Sequence, residues 1–230
     1  LAHELAHSLL AKMFKIPVED ITLFLFGGVS NIQKQPTAPR HEFQMSIVGP
    51  ITSIVLGILF LFAASIMIGP IETGTEDMKQ FFSELSPLAT LLLWLGPVNI
   101  FVGLFNLLPG FPLDGGRILR SILWGIMGDL KKATKWASIT GQAIAWGFIL
   151  MGISMVFGAV VPFFGGGPIG GLWLVFIGWF LNSAAVQSYR QQIIRDVLSG
   201  VKVSEIMTSD PPQVTPDMSI DDLVHDRIMK

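Results

Sequence analysis

Between Met45 and Ile71 the chain carries no charged side chain, and the same holds from Pro87 to Leu108, from Ala137 to Val161 and from Gly170 to Val186. A helix needs about 17 to 25 predominantly apolar residues to cross the hydrocarbon of a bilayer. Each run therefore has room for one crossing. In lipid a helix satisfies all of its backbone hydrogen bonds within one segment, so the expected fold class is an all-α polytopic membrane protein. Composition agrees, with 51% hydrophobic and only 14% charged residues, against about 25% charged in an ordinary soluble domain. That balance excludes a disordered chain, a nucleic-acid-binding surface and a conventional cytosolic enzyme. The net charge of −2 gives no reason to expect a polyanionic partner. With no cysteine, disulfides, zinc ribbons, iron–sulfur clusters and thiol nucleophiles are excluded, and any metal must be held by His, Asp or Glu.

Shorter segments fill the gaps. Residues 1–14 have good helix formers throughout and end at Pro17. Residues 21–29 are too short to span as a helix and close on Gly27-Gly28, which predicts a strand or hairpin lying against the membrane. Lys34 to Arg40 reads as a polar loop, and Glu72, Glu76, Asp77 and Glu84 form an acidic one. Residues 116–128 read as an amphipathic interfacial helix, and Phe163–Gly171 as a glycine-rich turn. The chain opens on Leu1-Ala2-His3, without methionine or the basic and small-residue marks of a signal peptide, and reads as a fragment beginning inside a helix. If the lysine-bearing ends lie in the cytoplasm (Lys12, Lys15, Lys34, Lys131, Lys132 and Lys135 among them), the opposite side keeps only Lys79, beside four carboxylates. The positive-inside bias thus predicts a multi-pass protein of the cell membrane with a cytoplasmic C-terminal tail.

His3-Glu4-Leu5-Ala6-His7 is an H-E-x-x-H sequence. On a helix, positions i and i+4 share a face, so both imidazoles can reach one ion. Zn²⁺ suits such nitrogen ligands, and a catalytic site leaves one coordination position for water. Glu4 stands where a carboxylate can take a proton from that water and hand it to a leaving amine. A charged group in a lipid-facing helix would cost about 3 kcal/mol, so these residues point to function rather than to a chance pentapeptide. The other charged group at comparable depth is Asp114, within Asn106-Leu107-Leu108-Pro109-Gly110-Phe111-Pro112-Leu113-Asp114-Gly115-Gly116. Broken backbone at membrane depth survives where it is buried in protein or lines a wet cavity. Asp114 is either a third ligand, giving a His₂Asp site, or the N-cap of the helix that follows.

HELAH followed at a distance by NLLPGFPLDGGR resembles the site-2 protease family of intramembrane zinc metalloproteases, peptidase family M50. Phe26-Gly27-Gly28-Val29 and Glu42-Phe43 leading into Val48-Gly49-Pro50 are also similar to that family. The resemblance covers roughly residues 1–190 and implies a site-2 protease-like domain there, with spans about 1–14, 45–71, 87–108, 137–161 and 170–187. It implies one Zn²⁺ per chain held by His3, His7 and Asp114, with Glu4 as catalytic base. It also implies that Asn106 positions the substrate or stabilises the oxyanion, as an amide donor aimed at developing charge would; local capping is the alternative. The activity implied is hydrolysis of peptide bonds in or near transmembrane segments, with single-span membrane proteins as substrates and the bilayer as partner, and with the site open to water from the cytoplasm. The sequence departs from the family at Ala6, where glycine is usual, and the span that precedes the HExxH helix in the family lies outside it.

The tail from Val201 to Ile220 resembles the opening of a CBS domain, so residues 200–230 are expected to be part of a cytoplasmic CBS domain that binds an adenine nucleotide when complete. His225 and His41 read as surface residues rather than ligands. The apolar strand 21–26 offers an edge to which an unwound substrate segment can pair by strand addition, or simply anchors its loop. A different class of function, a CBS-regulated transporter or channel, would also place His, Glu and Asp inside the membrane. It predicts ion flux and no need for a water-activating base.

Overall fold

The computed structural model describes residues 1–24, 27–32, 36–69, 85–198 and 201–208. Helix α1 (Ala2–Met13) turns at Phe14 and Lys15 into an antiparallel hairpin of β1 (Val18–Phe24) and β2 (Gly27–Ile32). The register pairs Ile21 with Ser30 and Phe24 with Gly27, with an irregularity between Val18 and Ile21. Helix α2 (Pro39–Ile68) starts with Pro39 in its first turn, where the fixed φ and missing N–H of proline are harmless. It stops at Gly69, whose φ of 71° suits glycine. Helix α3 (Pro87–Asn106) is capped by Ser86, whose hydroxyl accepts the Ala89 N–H at 3.2 Å. After the turns of residues 107–113, helix α4 (Asp114–Met127) ends on left-handed Gly128. Asp129 then caps helix α5 (Leu130–Val156) by accepting the Lys132 N–H at 3.0 Å. A two-residue ribbon, β3 (Val160–Val161) with β4 (Gly165–Gly166), leads into helix α6 (Pro168–Leu198).

Among the described residues four helices, α2, α3, α5 and α6, are long and apolar enough to cross a membrane. Their burial pattern is that of a protein dissolved in lipid. The fully buried side chains are led by Met155, Thr134, Pro50, Ser46 and Ser138, while Trp94, Trp146, Trp173, Phe62 and Leu150 lie more than half exposed. Lipid tails are as apolar as leucine, so small residues that let backbones approach, rather than bulky ones, hold such helices together. Glycines make the two main seams. A Cβ on Gly57 would stand 2.6 Å from the Gly96 carbonyl oxygen of α3, and one on Gly171 would stand 2.5 Å from that of Gly152 across α5 and α6. Phe148, Met155, Leu174 and Leu181 fill the space between α5 and α6, with Phe105 and Leu113 packed against them.

The helices reach beyond the uncharged runs. Helix α2 begins at Pro39 and takes Arg40, His41 and Glu42 into its first turn, and α5 begins at Leu130 and carries the three lysines. The amphipathic segment expected at 116–128 is α4, which starts at Asp114. The acidic loop lies outside the described residues. Backbone contacts divide the chain into residues 1–192 and 193–230. In the second unit a short helix, α7 (Val203–Ile206), follows the last residues of α6. The rest of the CBS-like stretch, with His225, lies outside the described residues.

Candidate metal centre

Helix α1 presents His7, Ser8 and Ala11 as its buried face, and it lies against α2. Opposite them α2 offers Met45, Gly49 and Ser53, spaced four residues apart and so aligned on one face. The His7 Nδ1–H donates to the Met45 carbonyl oxygen at 2.5 Å. Nδ1 of His3 stands 2.9 Å from the Ser53 hydroxyl. Between these two anchors Gly49 leaves room for the rings: a Cβ there would stand 2.2 Å from Nε2 of His7 and 2.8 Å from Nε2 of His3. Met45 and Ser53 are six and fourteen residues past Pro39, so the centre lies about 9 to 21 Å along the axis of α2.

Asp114 reaches the same point from the first turn of α4. Its Oδ2 is 3.0 Å from Nε2 of His3 and 3.2 Å from Nε2 of His7. The segment before it is held by close backbone packing that its glycines permit. A Cβ on Gly110 would meet the Gly141 Cα of α5 at 2.3 Å, and one on Gly115 would meet the Leu108 carbonyl oxygen at 2.2 Å. Phe111 is buried in this packing, and its peptide bond to Pro112 is cis. Of the two readings the sequence left open for Asp114, capping finds no hydrogen bond. Leu113 occupies the N-cap position and makes no side-chain cap, while the Asp114 carboxylate turns to the two imidazoles.

The donor set fits a metal ion. A carbonyl oxygen only accepts, so the bond to Met45 puts the His7 proton on Nδ1 and leaves a lone pair on Nε2. That lone pair faces a carboxylate oxygen, another acceptor, and two acceptors at 3.2 Å need a cation or a proton between them. The three ligand atoms lie within 4.8 Å of one another. Tetrahedral bonds of about 2.0–2.1 Å to Zn²⁺ would set ligand atoms about 3.3 Å apart, close to the two separations found.

The other expected residues stand as follows. Glu4 is half-buried in the first turn of α1, next to the first ligand candidate. Asn106, the last residue of α3, donates from Nδ2 to the Val102 carbonyl oxygen at 2.9 Å, a bond within its own helix. No described contact joins it to His3, His7 or Asp114. His41 stacks on Phe14 with ring centroids 4.5 Å apart, away from the cluster. Sequence reasoning missed Ser53, the Met45 carbonyl and the role of Gly49. It also missed a buried pair, Glu42 of α2 with Arg120 of α4, although two opposite charges flanking apolar runs were a signal available for it.

The sequence profile of peptidase family M50 matches residues 1–148. Rip3 of Mycobacterium tuberculosis is 35% identical over 97% of this chain and 52% of its own length. A zinc metalloprotease of Methanocaldococcus jannaschii is 33% identical over 96% of this chain and 56% of its own. The chain thus spans about half the length of the curated relatives it matches. Among solved structures, the site-2 protease from Methanocaldococcus jannaschii matches with a TM-score of 0.57 at 26% identity, over 93% of this chain and 76% of that one.

Proposed function

Because the chain belongs to peptidase family M50, we propose that it is a zinc-dependent endopeptidase that hydrolyses peptide bonds in or near the transmembrane segments of membrane proteins. The observation that carries this reading is the meeting of His3, His7 and Asp114 at one point, within a unit whose four long helices are built for lipid. These three residues would hold one Zn²⁺. When bound, the ion supplies a Lewis acid that polarises a substrate carbonyl and makes a water molecule acidic enough to attack near neutral pH. Glu4 takes the proton of the attacking water and passes it to the leaving nitrogen. Asn106 turns its amide from Val102 toward the substrate carbonyl and stabilises the charge that develops there.

Two features support access from the cytoplasm. Pro39 of α2 lies 3.8 Å from the Cβ position of Gly125 near the end of α4, so Arg40 and the lysines at the start of α5 gather at one end of the helices. The centre lies nearer that end of α2 than the other. By the positive-inside rule this end faces the cytoplasm. Substrates on this reading are single-span proteins whose helix must unwind before its carbonyls are free. Strand β1 is paired on one edge only among the described residues, and its other edge would receive the unwound segment by strand addition. Residues 1–190 form the protease domain, and residues 200–230 open a CBS domain that binds an adenine nucleotide when complete.

The test is cleavage of a tagged single-span substrate by the full-length protein in detergent, beside Glu4→Gln and beside a zinc chelator. Cleavage lost in both controls is the expected result. Bound zinc without cleavage of any single-span substrate would overturn the proteolytic reading, and ion flux in vesicles would revive the transporter.

A further inference from the structure

Ser53 buries a hydroxyl at a place where packing alone asks only for a small side chain. It is 2% exposed in the middle of α2, and glycine or alanine would let the helices approach equally well. A buried hydroxyl needs a hydrogen-bond partner, and leaving one unmade is unfavourable. Several hydroxyls in these helices bond back to their own turn, as Thr52 does to the Val48 carbonyl oxygen at 2.7 Å and Thr134 to that of Leu130 at 2.7 Å, and buried Ser138 reaches across to the main-chain carbonyl of Ala185 at 2.8 Å. Ser53 instead meets the ring of His3, fifty positions away, at 2.9 Å.

We infer that Ser53 is a positioning residue of the metal centre, holding the His3 imidazole by Nδ1 so that Nε2 faces the ion. The inference rests on the zinc reading above and deepens it. A metal on Nε2 leaves the ring proton on Nδ1, and the Ser53 oxygen accepts it. His7 has the same arrangement with a backbone carbonyl, which no substitution removes. Thus one ligand is oriented by main chain and the other by a replaceable side chain. Partners of this kind fix the ring rotation and raise the basicity of the ligand nitrogen, and their loss typically weakens metal binding by about 10- to 100-fold.

The experiment uses the full-length protein in detergent, with Zn²⁺ affinity measured by competition against a chromophoric chelator and the coordination sphere read from the visible spectrum of the Co²⁺ form. Ser53→Ala is expected to bind Zn²⁺ about 10- to 100-fold more weakly and to change the Co²⁺ spectrum. The thermal midpoint of its metal-free form should stay that of the parent, a result that a merely structural role would not give. Ser53→Thr, which keeps the hydroxyl, should restore both affinity and spectrum. Unchanged affinity in Ser53→Ala, or a loss that Ser53→Thr does not restore, would overturn the inference while leaving the metal centre intact. A parent protein that binds no Zn²⁺ would instead remove the zinc reading, and this inference with it.

Discussion

Arg120 directs both Nε and Nη2 at a single carboxylate oxygen, Oε1 of Glu42, seventy-eight positions earlier in the chain. The Nε bond is 2.7 Å, both side chains are buried, and the guanidinium lies 5.2 Å from the centre of the Phe111 ring. The pair joins α2 to α4. Glu42 stands one turn before Met45, which anchors His7, and Arg120 stands on the helix that begins with Asp114. A bridge between these two helices therefore sets the distance between the histidine-bearing and the carboxylate-bearing sides of the centre.

Breaking this pair from one side should be far worse than replacing it whole. Glu42→Gln or Arg120→Met breaks a buried ion pair from one side, which typically costs about 3–5 kcal/mol, whereas an apolar pair of similar volume is often neutral or stabilising. Thermal unfolding in detergent should show a large drop in the midpoint for each single variant and recovery in Glu42→Met with Arg120→Met. Equal destabilisation by the double variant would mean that the charges, and not just their mutual compensation, hold α2 to α4.

Gly49→Ala should abolish metal binding while leaving the helices folded. Its new methyl would overlap Nε2 of His7, at 2.2 Å, and crowd Nε2 of His3, at 2.8 Å, the two atoms that would hold the ion. Metal analysis of the purified protein should fall from about one zinc per chain toward none, with the far-ultraviolet circular dichroism unchanged. A full complement of zinc in this variant would show that the imidazoles can retreat from α2 without losing the ion.

The histidine pair was legible in the sequence because helix geometry alone fixes what i and i+4 can do together. Four apolar runs announced four long helices for an equally local reason. Gly49 and Ser53 were not legible as parts of the centre, since their role depends on the register in which α1 lies on α2, and spacing within one segment says nothing of that. Helix α2 begins earlier than its uncharged run because Glu42 is neutralised by a residue far along the chain. Asp114 lay between the two cases. Its local context favoured a cap, and only the approach of α4 to α1 turns its carboxylate to the histidines.

Replacing Asp114 separates those readings by experiment. A true N-cap lost to alanine costs about 1 kcal/mol of helix stability. Here the carboxylate makes no cap, so Asp114→Ala should cost the metal-free protein less than that and yet remove zinc. Paired measurements of zinc content and of the thermal midpoint after chelation decide the matter. Zinc retained together with a lowered midpoint would return Asp114 to the capping role.

Two glycines on α5 give a controlled test of what holds the long helices together. Gly152 faces α6 so closely that an added Cβ would stand 2.6 Å from the Gly171 carbonyl oxygen and 2.8 Å from the Val175 side chain, and neither the backbone nor the packed neighbour can retreat freely. Overpacking of this kind typically costs about 1–3 kcal/mol. Gly147, five residues earlier on the same helix, has nothing within 4 Å of its Cβ position. There alanine should gain about 0.5–1 kcal/mol, since glycine loses more backbone freedom than alanine on entering a helix. Gly152→Ala should therefore lower the thermal midpoint in detergent and Gly147→Ala should hold or raise it. If both variants lowered it equally, the seam between α5 and α6 would owe little to close approach at Gly152, and bulky contacts such as Phe148 and Leu181 would have to carry the association.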